Sequence, residues 1–166
     1  MRKSELVAIL APLLEPYPAE VQKLTLDAAW KLAQRFDEAD ALIYDNYNFV
    51  VCGYTFTGRP SDAFLSVVVA WDHVSVCFLQ GVHLHDPEKR LKGGGNLVRN
   101  LRLQTLKTLD DPYVSNLIDA AAARVKKGGS SGKAILQSVS AKKRRPAGNV
   151  KTGSKSALTP KAAKRA

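Results

Sequence analysis

The sequence predicts an α+β fold: a mostly antiparallel sheet with helices packed on one face, followed by a disordered basic tail. Three observations carry this. Apolar residues recur at helical spacing before residue 37 and after residue 110, while Phe49 to Leu79 alternates with period two and is rich in aromatic and β-branched residues. All twelve aromatic residues lie at or before Tyr113. Residues 1–125 carry 13 basic and 15 acidic side chains, whereas residues 126–166 carry 12 basic and none acidic. The net charge of +10 is therefore a property of the last 41 residues rather than of the domain before them.

Each element follows from local chemistry. Ser4 is placed to cap a first helix carrying Leu6, Val7, Leu10 and Leu14, which Pro12 should kink or fray. Pro18 suits the first turn of a second helix, along which Val21, Leu24, Ala28, Leu32 and Phe36 fall at helical spacing. Strands are expected over residues 49–57, 63–71 and 74–79, joined by the turns Gly58-Arg59-Pro60-Ser61-Asp62 and Asp72-His73. Further strands are expected near residues 41–45 and 98–103. Asp111 is a natural N-cap, Pro112 fits the first turn after it, and Val114, Leu117, Ile118, Ala121, Ala122 and Val125 form the buried stripe of a last helix. Lys126-Lys127-Gly128-Gly129 ends it. The resulting division is a helical extension over 1–20, a domain over 21–125 and a tail over 126–166.

Register adds a sharper expectation. Pairing Trp71 with Val74, and Phe56 with Phe64, places both Cys52 and Cys77 opposite Val68, on one face but separated by a strand, roughly 9 to 10 Å apart and beyond disulfide reach. The other face then holds Val51, Leu65, Val67, Val69, Val74, Val76 and Phe78 and receives the helices. The cysteine face, with Tyr54, Phe56, Phe64, Ser66 and Ser75, is left open as a solvated surface, a dimer interface or a shallow ligand groove.

Composition excludes several classes. The chain has no apolar run of about 18 residues. The run Leu6 to Leu14 follows two basic residues, but Glu5 interrupts the junction and Pro16-Tyr17-Pro18 stands where a cleavage site would be. Two cysteines suit a reducing compartment, so a cytoplasmic protein, monomeric or homodimeric, is expected.

Candidate chemistry is sparse. His83 and His85 with Asp86 have the spacing of a partial metal site but lack a third ligand, and Asp86-Pro87-Glu88 reads more simply as a turn, so no metal is expected. Lys92, Gly94, Arg99 and Arg102 form a weak candidate anion site, with glycine amides and two guanidinium forks available to a phosphate or carboxylate. The glycine run fits neither the P-loop nor the dinucleotide fingerprint, and no cofactor is expected. The cysteine–histidine combinations available are Cys52 or Cys77 with His73, which occupies a hairpin turn, and buried cysteines are inert, so no catalytic residue is assigned.

Three segments in order, Leu84-His85-Asp86-Pro87, then Leu91-Lys92-Gly93-Gly94-Gly95-Asn96, then Arg99-Asn100-Leu101-Arg102-Leu103, follow the strand meander. Over roughly Val21 to Val125 the chain resembles the YdhG-like domains of unknown function, a bacterial family. The resemblance implies a compact α+β domain without a general enzymatic activity. Some members are described as frataxin-like iron chaperones, which would call for surface carboxylates; here the acidic patch is Asp37, Glu38 and Asp40, with Asp45 beyond it.

The tail is the strongest functional signal. Lys142, Lys143, Arg144 and Arg145, then Lys151, Lys155, Lys161, Lys164 and Arg165, are set among Ala, Ser, Gly and Pro, a mixture similar to linker-histone tails. Such a segment has too little apolar surface to fold alone and binds polyanions by counterion release. The expectation is a non-enzymatic domain whose tail binds nucleic acid without sequence preference. The rival is a small-ligand or iron-carrying module with a merely solubilising tail.

Overall fold

The structure is a computed structural model that describes residues 1–141; the nine cations from Lys142 to Arg165 lie outside the described residues. It is an α+β fold, with helices α1 (Lys3–Leu14), α2 (Ala19–Arg35) and α3 (Pro112–Ala123) packed against one face of a six-stranded sheet. The strands are β1 (Asp40–Asp45), β2 (Val50–Thr55), β3 (Leu65–Val69), β4 (Val74–Phe78), β5 (Arg99–Leu103) and β6 (Ala134–Val139), in spatial order β5-β4-β3-β2-β1-β6. Every pairing is antiparallel except that of β6, which runs parallel to β1.

Two of the expected boundaries move. The first 20 residues are not an extension: Leu6, Leu10 and Leu14 are fully buried in the common core. Pro12 interrupts nothing, because it and Ala8, whose carbonyl it cannot engage, both sit on the exposed side of α1. Nor does the fold end at Val125. After α3 the chain returns across the sheet, where Gly128 and Ser130 donate their amides to the Phe56 carbonyl at 3.1 Å each. Asp40 Oδ1 then accepts the amides of Ser131 and Lys133 at 3.1 and 2.9 Å, and the Ala41 amide donates to the Lys133 carbonyl at 2.8 Å. Residues 126–141 therefore belong to the domain, and disorder starting at Lys126 is corrected. Their composition cannot build a core, but an edge strand needs only a neighbour's free backbone groups.

Register brings the second correction. β3 and β4 pair through Val69↔Val74 and Ser66↔Cys77, a shift of the expected pairing that keeps the faces of both strands. Across the longer turn the pairing is Tyr54↔Leu65 and Cys52↔Val67, one residue from expectation. A one-residue slip turns every side chain of a strand over. Cys52 and Tyr54 consequently face the helices, Val51 faces outward, and the two cysteines lie on opposite faces of the sheet. Two inward contacts fix this register. Tyr54 Oη donates to the Ala29 carbonyl of α2 at 2.7 Å, and Phe56 stacks on Phe64 at 4.8 Å with Phe36 edge-on to both. The helix-covered face holds Leu65, Val67, Val69, Val74, Val76 and Phe78 as expected, all buried.

Asp111 caps α3 as its sequence position predicts, its Oδ1 accepting the amides of Tyr113 and Val114 at 2.9 and 3.2 Å. The start of α1 differs: Ser4 lies inside the helix, and Glu5 reaches back to accept the Arg2 amide at 3.2 Å.

Candidate functional site

A cleft of about 390 Å³ opens between the first turns of α2, the β3–β4 turn and the segment after β5. Its floor is apolar, from Val21, Leu24, Val74, Leu103 and Leu106. Its rim is charged. His73 Nδ1 and Asp72 Oδ1 lie 2.6 Å apart, and the hydrogen bond to His73 is the main reason the Asp72 carboxyl titrates below its usual range. Arg102 donates to the Asp72 carbonyl at 3.4 Å and lies 3.8 Å from the carboxylate, while Lys23 pairs with Asp27 at 2.6 Å. Such a cleft suits a small molecule with an apolar body and one polar group. Among the described residues no serine or cysteine lines it, and Thr105 is the one hydroxyl in its wall. Asp72-His73 forms the turn its sequence predicts, but the cleft beside it leaves no local mark in the sequence, because it depends on Arg102 pairing with Ser75 next to that turn.

The segment Leu84 to Leu91 is structural. Asp86 accepts the Tyr113 hydroxyl at 2.6 Å and the amides of Arg90 and Leu91 at 3.0 and 2.9 Å. Burial opposes its ionisation, yet these three donors together hold its carboxyl below the usual range. Arg90 completes the knot, 2.9 Å from Asp111 and stacked over the Tyr113 ring. The turn reading of Asp86 is thus what the structure displays, and its carboxylate is committed to it. His83 and His85 are exposed, and among the described residues no three of His, Cys, Asp and Glu gather as a metal site would require.

The candidate anion site does not assemble. Arg99 shares the helix-side parity of Leu101 and Leu103, whereas Arg102 points to the opposite face. Arg99 donates to the Gly95 carbonyl at 2.6 Å and Lys92 to the Lys89 carbonyl at 2.8 Å, so both cations are spent bracing their own loop. Gly94 is exposed with open space around it, while Gly93, at a φ of 127°, makes the turn that brings Lys92 to pair with Asn100. The acidic patch is dispersed as well: Asp40 is buried under the chain that leads into β6, and Asp45 is buried at the far end of β1.

Neither cysteine is activated. Cys52 is fully buried beside the Tyr54 hydroxyl, and desolvation pushes its thiol up to about 12; Cys77, on the outer face, is pushed up to about 11 for the same reason. That outer face carries a groove of about 300 Å³ walled by Leu42, Tyr44, Val51, Pro60, Ala63 and Leu79. Among the described residues, Tyr44 Oη is the one buried side-chain polar atom without a hydrogen-bond partner. No helix of the described residues is long and apolar enough to cross a membrane. No family model matches the chain, and neither the curated proteins nor the solved structures yield a match.

Proposed function

We propose that this protein is a non-enzymatic nucleic-acid tether: a cytoplasmic α+β domain of the YdhG-like type whose C-terminal basic segment binds polyanions without sequence preference. The observation that carries the reading is the charge partition. Residues 142–166 hold nine basic and no acidic side chains, against 16 basic and 15 acidic over 1–141. Nine phosphate contacts would give log K against log salt slopes of about −6 on single strands and about −8 on duplex DNA. Affinity should therefore collapse between low and moderate salt. The test exchanges all nine cations, Lys142 through Arg165, for glutamine in the full chain. Loss of binding and of the salt slope is expected; unchanged affinity would sink the proposal.

The cleft at Asp72, His73 and Arg102 favours a second reading, a small-ligand module whose basic segment only solubilises it. A thermal-shift screen of small carboxylates and heterocycles tests it, with Arg102→Ala as control. A ligand whose stabilisation vanishes in that variant would support this reading; no shift by any compound would dismiss it.

A further inference from the structure

The basic segment contains no aromatic residue and so has nothing on which to stack a base, but the fold supplies two where that segment departs. The β1–β2 connection reads Asn46-Tyr47-Asn48-Phe49, closed by the Asn46 amide donating to the Phe49 carbonyl at 2.9 Å. Tyr47 is 49% exposed and Phe49 43%, while nearly all the other large aromatics are buried or packed on the core. Neither ring takes part in an aromatic pair among the described residues. The four turn residues carry no charge, and the adjacent Asp45 is buried. β6, parallel to β1, ends beside the same turn: Val139 pairs with Asp45, and the Ser140 amide donates to the Asp45 carbonyl at 2.8 Å. Lys142-Lys143-Arg144-Arg145 begins two residues further on, at most about 7 Å of chain. A parallel sixth strand thus ends beside two exposed aromatic rings, and the densest run of cations follows that strand in the sequence.

Aromatic rings together with a run of cations are the composition of a single-strand binder: backbone phosphates meet the cations, and unpaired bases lie on the aromatic faces, which a duplex cannot offer without unstacking. We propose that Tyr47 and Phe49 form a base-stacking platform that makes the protein prefer single-stranded nucleic acid. Asn46 and Asn48 flank the rings with amide groups able to reach base edges. This rests on the polyanion-binding reading above and adds to it a ligand class and two contact residues.

The test uses the full chain with a labelled oligothymidine of about 15 nucleotides and a duplex of equal length. Tyr47→Ala with Phe49→Ala should weaken single-strand binding about 10- to 100-fold while leaving the salt slope and duplex affinity unchanged. Because a turn substitution can disturb the hairpin, Tyr47→Trp is measured beside it. That variant should bind the single strand equally or up to about fivefold more tightly. Three outcomes overturn the platform while the parent chain still binds: single-strand affinity untouched by the double variant, equal losses on both probes, or a parent dimer that the double variant dissociates, which would make the rings an interface between copies. A parent chain that binds neither probe instead overturns the polyanion reading itself.

Discussion

The two edges of the sheet are built on different principles. β5 is held by its side chains: Leu101 and Leu103 are buried on the helix face, opposite Val76 and Val74. β6 is held by its backbone and by its approach. Leu136 is 45% exposed although it shares the register of buried Ile43, and what precedes the strand is a loop pinned by Asp40 and by glycines. An edge can thus be secured by apolar burial or by satisfying the amides of the chain leading into it. Only the first leaves a periodic mark in sequence.

The largest effect that separates the edges is truncation of their leucines. Leu101→Ala should cost about 2–4 kcal/mol in denaturant unfolding, and Leu136→Ala below about 1 kcal/mol. Similar losses would erase the distinction. Next comes Gly132, at a φ of 65°, where a Cβ would overlap the Asp37 carbonyl oxygen. Gly132→Ala should cost about 2–3 kcal/mol, with β6 amides exchanging faster while those of β5 keep their protection. Somewhat smaller is Asp40→Ala, which strands the Ser131 and Lys133 amides at about 1–3 kcal/mol; Asp40→Asn, keeping one acceptor oxygen, should recover much of it.

Two smaller effects bear on the faces rather than the edges. At pH 8 both thiols should label slowly, because thiol values of about 12 and 11 leave only a trace of thiolate. Cys77 should react first, by about tenfold from its lower value alone. Faster labelling of Cys52 would contradict the register that buries it. The smallest is a pH effect at the N-cap of α3. The Arg90 hydrogen bond, above all, holds the Asp111 carboxyl below its usual value of 3.8. A depressed carboxyl stabilises the fold above its unfolded value and loses that contribution as pH falls through the folded one. Wild-type stability should therefore decline below about pH 4 more steeply than that of Asp111→Asn. Parallel curves would remove Asp111 from that role.

Much of this architecture was legible beforehand. Five of the six strands, the helical stripes and the Asp111 cap each rest on contacts within a few residues, or on an alternation that survives any register. The site was less legible. The cleft beneath His73 exists because β5 lies beside β4, and the candidate arginines Arg99 and Arg102 fell apart because a strand sends residues three apart to opposite faces.

Local chemistry, then, was enough for the α+β class, the free cysteines and the concentration of uncompensated positive charge toward the C-terminus, though not for where the fold ends. The tertiary structure decided three things that sequence could not. The register at Tyr54 and Phe56 set which cysteine faces the helices, since both alternations look alike until the Ala29 carbonyl and the Phe36 ring select one. Burial of Leu6, Leu10 and Leu14 made α1 part of the core rather than an extension from it. The parallel return of β6 brought its end, Val139 and Ser140, beside Asp45 at the start of the Tyr47–Phe49 turn, because a carboxylate about 90 residues away in the chain was in place to receive the amides that lead into the strand.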